Sequence, residues 1–87
     1  MSENAISEIT MYGAAWCGDC RRTKRFLDEN KVEYTYIDSE KTLDAADTIV
    51  AISGRQNIPL LVFADGTHMT EPSDIDLKAK LESLAIL

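Results

Sequence analysis

Hydrophobic and polar positions along this 87-residue chain change period several times, and each change predicts an element. From Ile6 to Tyr12, the apolar residues Ile9, Met11 and Tyr12 read as a first strand, with Gly13-Ala14-Ala15 as the loop out of it. From Gly18 to Asn30 the pattern turns helical. At about 100° per residue, Cys20, Thr23, Phe26, Leu27 and Asn30 share one side, while Arg21, Lys24 and Arg25 lie opposite. Asn30 is the expected C-terminal stop. Tyr34 to Asp38, rich in β-branched and aromatic residues, is a short strand. A second helix follows, with Ser39 or Thr42 as its cap, Leu43, Ala46, Ile49 and Val50 as its inner stripe, and Gly54 at its end. Leu60-Leu61-Val62-Phe63 is apolar enough for a buried central strand. Asp65-Gly66 is a hairpin turn, and Thr67 to Thr70 forms the returning edge strand. Ser73 caps a last helix, with Asp74 and Asp76 in its first turn and Leu77, Leu81 and Leu84 on its inner face.

The order is β-α-β-α-β-β-α. Two parallel strands joined by a right-handed helical crossover come first, and an antiparallel hairpin extends the sheet. This predicts an α/β protein with a four-stranded mixed sheet flanked by three helices, the thioredoxin fold at its smallest size. No internal repeat, low-complexity tract or linker interrupts the chain, so residues 1–87 are expected to form one domain.

Composition then narrows the function. Fifteen Asp and Glu against nine Lys and Arg give a net charge of −6, which argues against broad nucleic-acid binding. No apolar run approaches the roughly 18 residues of a membrane helix. Met1 to Ala5 carry an acid and no Lys or Arg, so no secretory signal is read there and a reducing cytoplasm is the expected compartment. A monomer is expected.

Both cysteines fall in Ala15-Trp16-Cys17-Gly18-Asp19-Cys20-Arg21-Arg22, after the first strand and at the head of the first helix. In a reducing compartment such a pair is catalytic or metal-binding rather than a structural staple. Disulfide exchange needs a thiolate attacker, and a second thiol nearby lets the mixed disulfide resolve internally. Cys17, just ahead of the helix, faces unpaired N–H groups and the positive end of the helix dipole, both of which favour the anion. It is therefore the predicted nucleophile and leaving group, and Cys20 the resolving thiol. A structural zinc site is not expected, since His68 is the only further soft ligand in the chain. A cluster of iron and sulfur shared by Cys17 of two chains is the metal alternative.

The flanking residues fill out the site. Asp19 opposes a Cys17 thiolate and is the candidate tuning residue. Arg21 and Arg22 belong to a run of four cations between positions 21 and 25 that either holds substrate carboxylates or forms a solvated helix face. Pro59 opens a central strand, where it cannot donate to the ladder; a cis Ile58–Pro59 bond would expose the Ile58 backbone beside Cys17 for an extended substrate. Trp16 is either a flat apolar wall for substrate or packing of the loop. Tyr12 is expected in the core, and His68 on a solvent-facing edge. Glu71-Pro72-Ser73 brings N–H donors of the last helix near Pro59, where they can hold a substrate carboxylate while Ser73 also caps the helix.

With Met11-Tyr12, Trp16-Cys17-Gly18-Asp19-Cys20, Ile58-Pro59, Phe63-Ala64-Asp65-Gly66-Thr67 and Thr70-Glu71-Pro72-Ser73 in place, the chain resembles the glutaredoxin family, and within it the mycoredoxins, from Thr10 to Leu81. The resemblance implies reduction of protein mixed disulfides with a small thiol as co-substrate and no tightly bound cofactor. Glutathione-using members usually carry Pro-Tyr between the cysteines, a lysine shortly before them and a Gly-Gly pair before the last helix. Here Gly18-Asp19 and Glu71-Pro72 stand instead, and mycothiol is favoured over glutathione. A dithiol donor recharged by thioredoxin reductase, for example for ribonucleotide reductase, is the second expectation, and an iron–sulfur carrier the third.

Overall fold

The computed structural model describes residues 8–87, so the start of the first strand at Ile6 and the reading of Met1 to Ala5 lie outside it. Along the chain run β1 (Thr10–Gly13), α1 (Gly18–Glu29), β2 (Thr35–Asp38), α2 (Ala45–Ser53), β3 (Leu60–Val62), β4 (His68–Thr70) and α3 (Asp74–Ser83). The sheet order is β2-β1-β3-β4. β1 and β2 are parallel, whereas β3 pairs antiparallel with both β1 and β4. The predicted architecture is the observed one.

Alternation along the strands decides which side chains meet which helix. Met11, opposite Leu61 in register, enters one core with Ile9 and Phe63, with Leu27 and Cys20 of α1 and with Leu77 and Leu81 of α3. Met11, Leu27, Leu60, Leu61, Leu77 and Leu81 are fully buried. This core fixes the head of α1, and hence both cysteines, against the end of β1.

Several boundaries differ from the sequence reading, each for a local reason. Gly13 is the last residue of β1 rather than loop, because its carbonyl accepts hydrogen bonds from Ser39 N–H at 2.8 Å and Ser39 Oγ at 3.1 Å. That employment also removes Ser39 as a helix cap. α2 starts at Ala45 after Asp44, which sits left-handed at φ 67° and makes no side-chain cap, so neither Ser39 nor Thr42 caps it. The later start shifts the buried stripe to Ala45 and Ile49, one helical step apart. Leu43, placed on the inner stripe by sequence, is 89% exposed in the preceding turn, and Ala46 and Val50 face solvent too. Gly54 does end α2, left-handed at φ 79°, where a side chain would be strained.

Asn30 is an exposed C-cap whose amide donates to the Phe26 carbonyl at 2.9 Å, not part of the inner face of α1. Lys24, read as solvated, is half-buried over the rings of Tyr34 and Tyr36. Tyr12 is only half-buried. Leu84 has slipped from the inner face of α3 to its C-cap, yet still packs on the core. Among the described residues, no helix is long and apolar enough to cross a membrane.

Candidate active site

Where β1 ends, the chain turns through Ala14–Trp16 and enters α1, with Cys17 N–H donating to the Ala14 carbonyl at 3.2 Å. Cys17 is the N-cap of α1, at φ −83° and ψ 119°, and its sulfur accepts the backbone N–H of Cys20 at 3.3 Å. A thiol thus stands where a hydroxyl or carboxylate usually caps, and it satisfies one of the free N–H groups of the first turn. On its other side Cys17 Sγ lies 4.0 Å from the Ile58 carbonyl, as a thiol donor to it. The Ile58–Pro59 bond is cis, as the sequence led us to expect, with Pro59 buried and Ile58 half-buried.

The two thiols are free and unequal. Cys17 is half-buried, whereas Cys20 is 2% exposed. Burial, followed by its contact with the Cys17 thiol, pushes the Cys20 thiol up to about 12, against a smaller opposing effect of a backbone hydrogen bond at Ala14. Cys20 also touches β1: a Cβ on Gly13 would lie 3.0 Å from Cys20 Sγ and 3.3 Å from its Cβ. A largely apolar cavity of about 230 Å³ opens beside it, lined by Ala14, Ala15, Arg21, Lys24, Tyr36 and Asp38. One turn on, the buried Thr23 Oγ1 has no hydrogen-bond partner.

The flanking candidates separate into groups. Arg22 is held within the chain: Nη1 donates to Asp74 Oδ1 at 2.9 Å and Nη2 to the Pro72 carbonyl at 3.3 Å. Asp19, 56% exposed, lies 3.6 Å from Arg22 Nη2 and joins the same bridge between α1 and the start of α3. Arg21 Nη1 donates to the Ala15 carbonyl at 2.9 Å. Among the described residues Arg25 makes no ion pair with Glu29; the pairs along α1 are Asp19–Arg22 at 3.6 Å and Lys24–Asp28 at 3.8 Å.

Glu71, left-handed at φ 51°, donates its N–H to the Pro59 carbonyl at 2.8 Å and accepts Asn57 Nδ2 at 3.1 Å. The loop before α3 is thereby strapped to the proline, and the Glu71 N–H is engaged within the chain. Ser73 caps α3 by accepting the Asp76 N–H at 3.1 Å. His68 is exposed on β4. Trp16 is 64% exposed, and its Nε1 donates to Glu40 Oε2 at 2.6 Å.

Glu40 and Asp74 are the participants that sequence reasoning missed. Each meets its partner across a long stretch of chain, and no local pattern encodes such a contact. Among the described residues, no three of His, Cys, Asp and Glu converge to hold a metal ion.

A half-buried cysteine capping a helix, a buried partner three residues on and a cis-proline beside them, carried on this sheet, are the working parts of a thioredoxin-fold thiol–disulfide oxidoreductase. The chain belongs to the glutaredoxin family, whose model matches residues 9–69. It is 37% identical over 78 residues to a provisionally named glutaredoxin of Mycobacterium tuberculosis, covering 88% of this chain and 93% of that one. It is 33% identical over 81 residues to Mycoredoxin 1 of Corynebacterium glutamicum, covering 92% of this chain and 100% of that one. Among solved structures it superposes on the glutaredoxin of Archaeoglobus fulgidus with a TM-score of 0.76 and 26% identity, covering 91% and 92% of the two chains.

Proposed function

We propose that the protein reduces mixed disulfides between proteins and a small thiol, with Cys17 as nucleophile and mycothiol as the thiol. The inequality of the two sulfurs carries this reading. Cys17 is reachable and faces an N–H donor, whereas Cys20 is enclosed and, with its thiol pushed up to about 12, stays protonated at neutral pH. In the first step Cys17 thiolate attacks the sulfur of the small thiol in the mixed disulfide. A Cys17–small-thiol disulfide forms, and the protein leaves as its thiolate, to be protonated. A second small-thiol thiolate then attacks the small-thiol sulfur of that adduct, giving the oxidised small-thiol dimer and returning Cys17 thiolate. In sum one free small thiol is consumed for each protein thiol released, and it leaves joined to the small thiol that the protein carried.

The cis-Pro59 loop supports the substrate side of the reading, because its Ile58 carbonyl lies beside Cys17 and Glu71 anchors the loop from behind. Support for mycothiol is the likeness to Mycoredoxin 1 together with Gly18-Asp19 and Glu71-Pro72 at the positions where the chain departs from glutathione-using members. A mycothiol-disulfide reductase system then recharges the pool, in a reducing cytoplasm. A second reading rests on Cys20 lying within hydrogen-bond reach of Cys17. There Cys20 attacks Cys17, releases the small thiol and leaves a Cys17–Cys20 disulfide for thioredoxin reductase.

Cys20→Ser separates the two. Under the monothiol scheme it keeps turnover of a mycothiol-capped peptide in the coupled assay; abolition of that turnover overturns the scheme. Wild type is run with glutathione, mycothiol and thioredoxin reductase side by side, and efficient recharging by the reductase alone favours the dithiol reading.

A further inference from the structure

We propose that the Trp16 indole and the Glu40 carboxylate form a subsite for a hydroxylated ring carried by the small thiol, so that the enzyme reads a sugar-like body rather than a peptide. This deepens the proposed function and rests on its choice of mycothiol, a cysteine borne on a glucosaminyl-inositol.

Trp16 directly precedes Cys17 and is 64% exposed, an unusual placement for a side chain that gains so much from burial. The ring is nonetheless not loose. Its Nε1 donates to Glu40 Oε2 at 2.6 Å, a charge-assisted bond reaching from the loop before α1 to the turn after β2. A held indole offers a flat, electron-rich face at little further cost in order, which is the property of a preorganised binding surface. The C–H groups on one face of a saccharide ring match such a face, and hydroxyls at the ring edge need acceptors close by. The exposed Glu40 carboxylate supplies them in the position of the indole edge.

The charge around the cavity beside Cys20 is mixed, Arg21 and Lys24 against Asp38, and Asp19 is paired with Arg22. What separates the two thiols is the Glu40 carboxylate at the indole edge. Glutathione brings two carboxylates of its own toward it, whereas the amide-linked glucosaminyl-inositol of mycothiol brings an uncharged, hydroxyl-rich body. Desolvated hydroxyls left without acceptors discriminate strongly against the wrong ligand, and here it is the sugar-bearing thiol that pairs with what the site offers.

Trp16 is the only tryptophan, so its emission reports on this subsite alone. The Cys17→Ser protein is titrated with N-acetylglucosaminyl-inositol, whose nitrogen is acylated as it is in mycothiol, and in parallel with S-methylglutathione. A saturable change in emission with the first and none with the second is expected. In the otherwise wild-type protein, Trp16→Ala should lower the ratio of kcat/KM for mycothiol-capped over glutathione-capped peptide about tenfold, the scale of a lost aromatic contact, with Trp16→Phe recovering most of it. Glu40→Gln should lower the same ratio about threefold, as a weakened hydrogen bond does. Absence of a saturable emission change overturns the subsite. So does an equal loss on both peptides in Trp16→Ala, which would make Trp16 a wall for the protein substrate. A wild-type ratio near one, with the disaccharide still bound, would instead refute mycothiol as co-substrate and leave the subsite standing.

Discussion

Replacing Gly13 by alanine tests whether the end of β1 is shaped around the buried thiol. The new Cβ would lie 3.0 Å from Cys20 Sγ, 3.3 Å from Cys20 Cβ and 3.4 Å from Tyr36 Cε1. The tyrosine ring edge is half-buried and can swing. Cys20 cannot retreat easily, since it is 2% exposed and belongs to the core cluster with Met11 and Leu27. Forcing a methyl into a packed site costs about 1–3 kcal/mol. Against this, alanine restricts the unfolded chain and returns about 0.4–1 kcal/mol, because Gly13 sits in a strand conformation open to any residue. The net is a loss of about 1–2 kcal/mol, or a fall of roughly 4–16 °C in Tm for a chain of this size.

Urea denaturation under reducing conditions, on the four proteins of a Gly13→Ala and Cys20→Ala cycle, measures it. With the sulfur removed the closest contact disappears, so the second Gly13→Ala step should cost about 1 kcal/mol less than the first, a coupling well above the usual additivity error. Additive effects would refute the argument. So would an unchanged Gly13→Ala stability, because the sulfur would then have rotated into the 230 Å³ cavity beside it.

Three further outcomes follow from the same geometry. Arg22→Met breaks the bonds to Asp74, to the Pro72 carbonyl and the longer pair with Asp19, and should lower stability by about 1–2 kcal/mol after allowance for its partial exposure; no change in Tm would show that the bridge is ornamental. Cys20 is neutral in the folded protein up to about 12, whereas in the unfolded chain it ionises near 9. Its raised value therefore supports the fold fully below pH 9 and is lost as pH climbs from 9 toward 12, so wild type should lose stability relative to Cys20→Ala by up to about 1.4 kcal/mol per pH unit in that window. In Cys17→Ser the larger cause, burial, persists, so Cys20 should resist iodoacetamide at pH 8; rapid alkylation of the folded protein would refute it.

The parts legible in the sequence were those set by local period and by strong punctuation. The apolar run at Leu60–Phe63, the Asp65-Gly66 turn, Gly54 and the Ser73 cap each state a backbone conformation within a few residues, and together they give the element order. α2 misled because its composition is apolar nearly throughout: Leu43, Ala46, Ile49 and Val50 make as good a stripe as Ala45 and Ile49 until the start of the helix is known. That start depends on Ser39, which the Gly13 carbonyl engages from another strand. Cys17, Cys20 and the cis-proline were legible because chemistry restricts what can stand there. What surrounds them was not.

Asp19 is the clearest case. From sequence alone it is a carboxylate between two cysteines, set against the thiolate that the helix terminus favours. In the folded chain it is 56% exposed and 3.6 Å from Arg22, whose guanidinium also binds Asp74 and the Pro72 carbonyl. Solvent screens such a charge, and a cation next to it cancels part of its field at the sulfur. Arg22, expected either at substrate or in solvent, is instead the link through which Asp19 and the head of α3 are tied together. The negative residue between the cysteines is thus not a lone charge but one end of a bridge from α1 to α3. The two carboxylates that it joins come from segments 55 residues apart, and only folding brings them to one guanidinium.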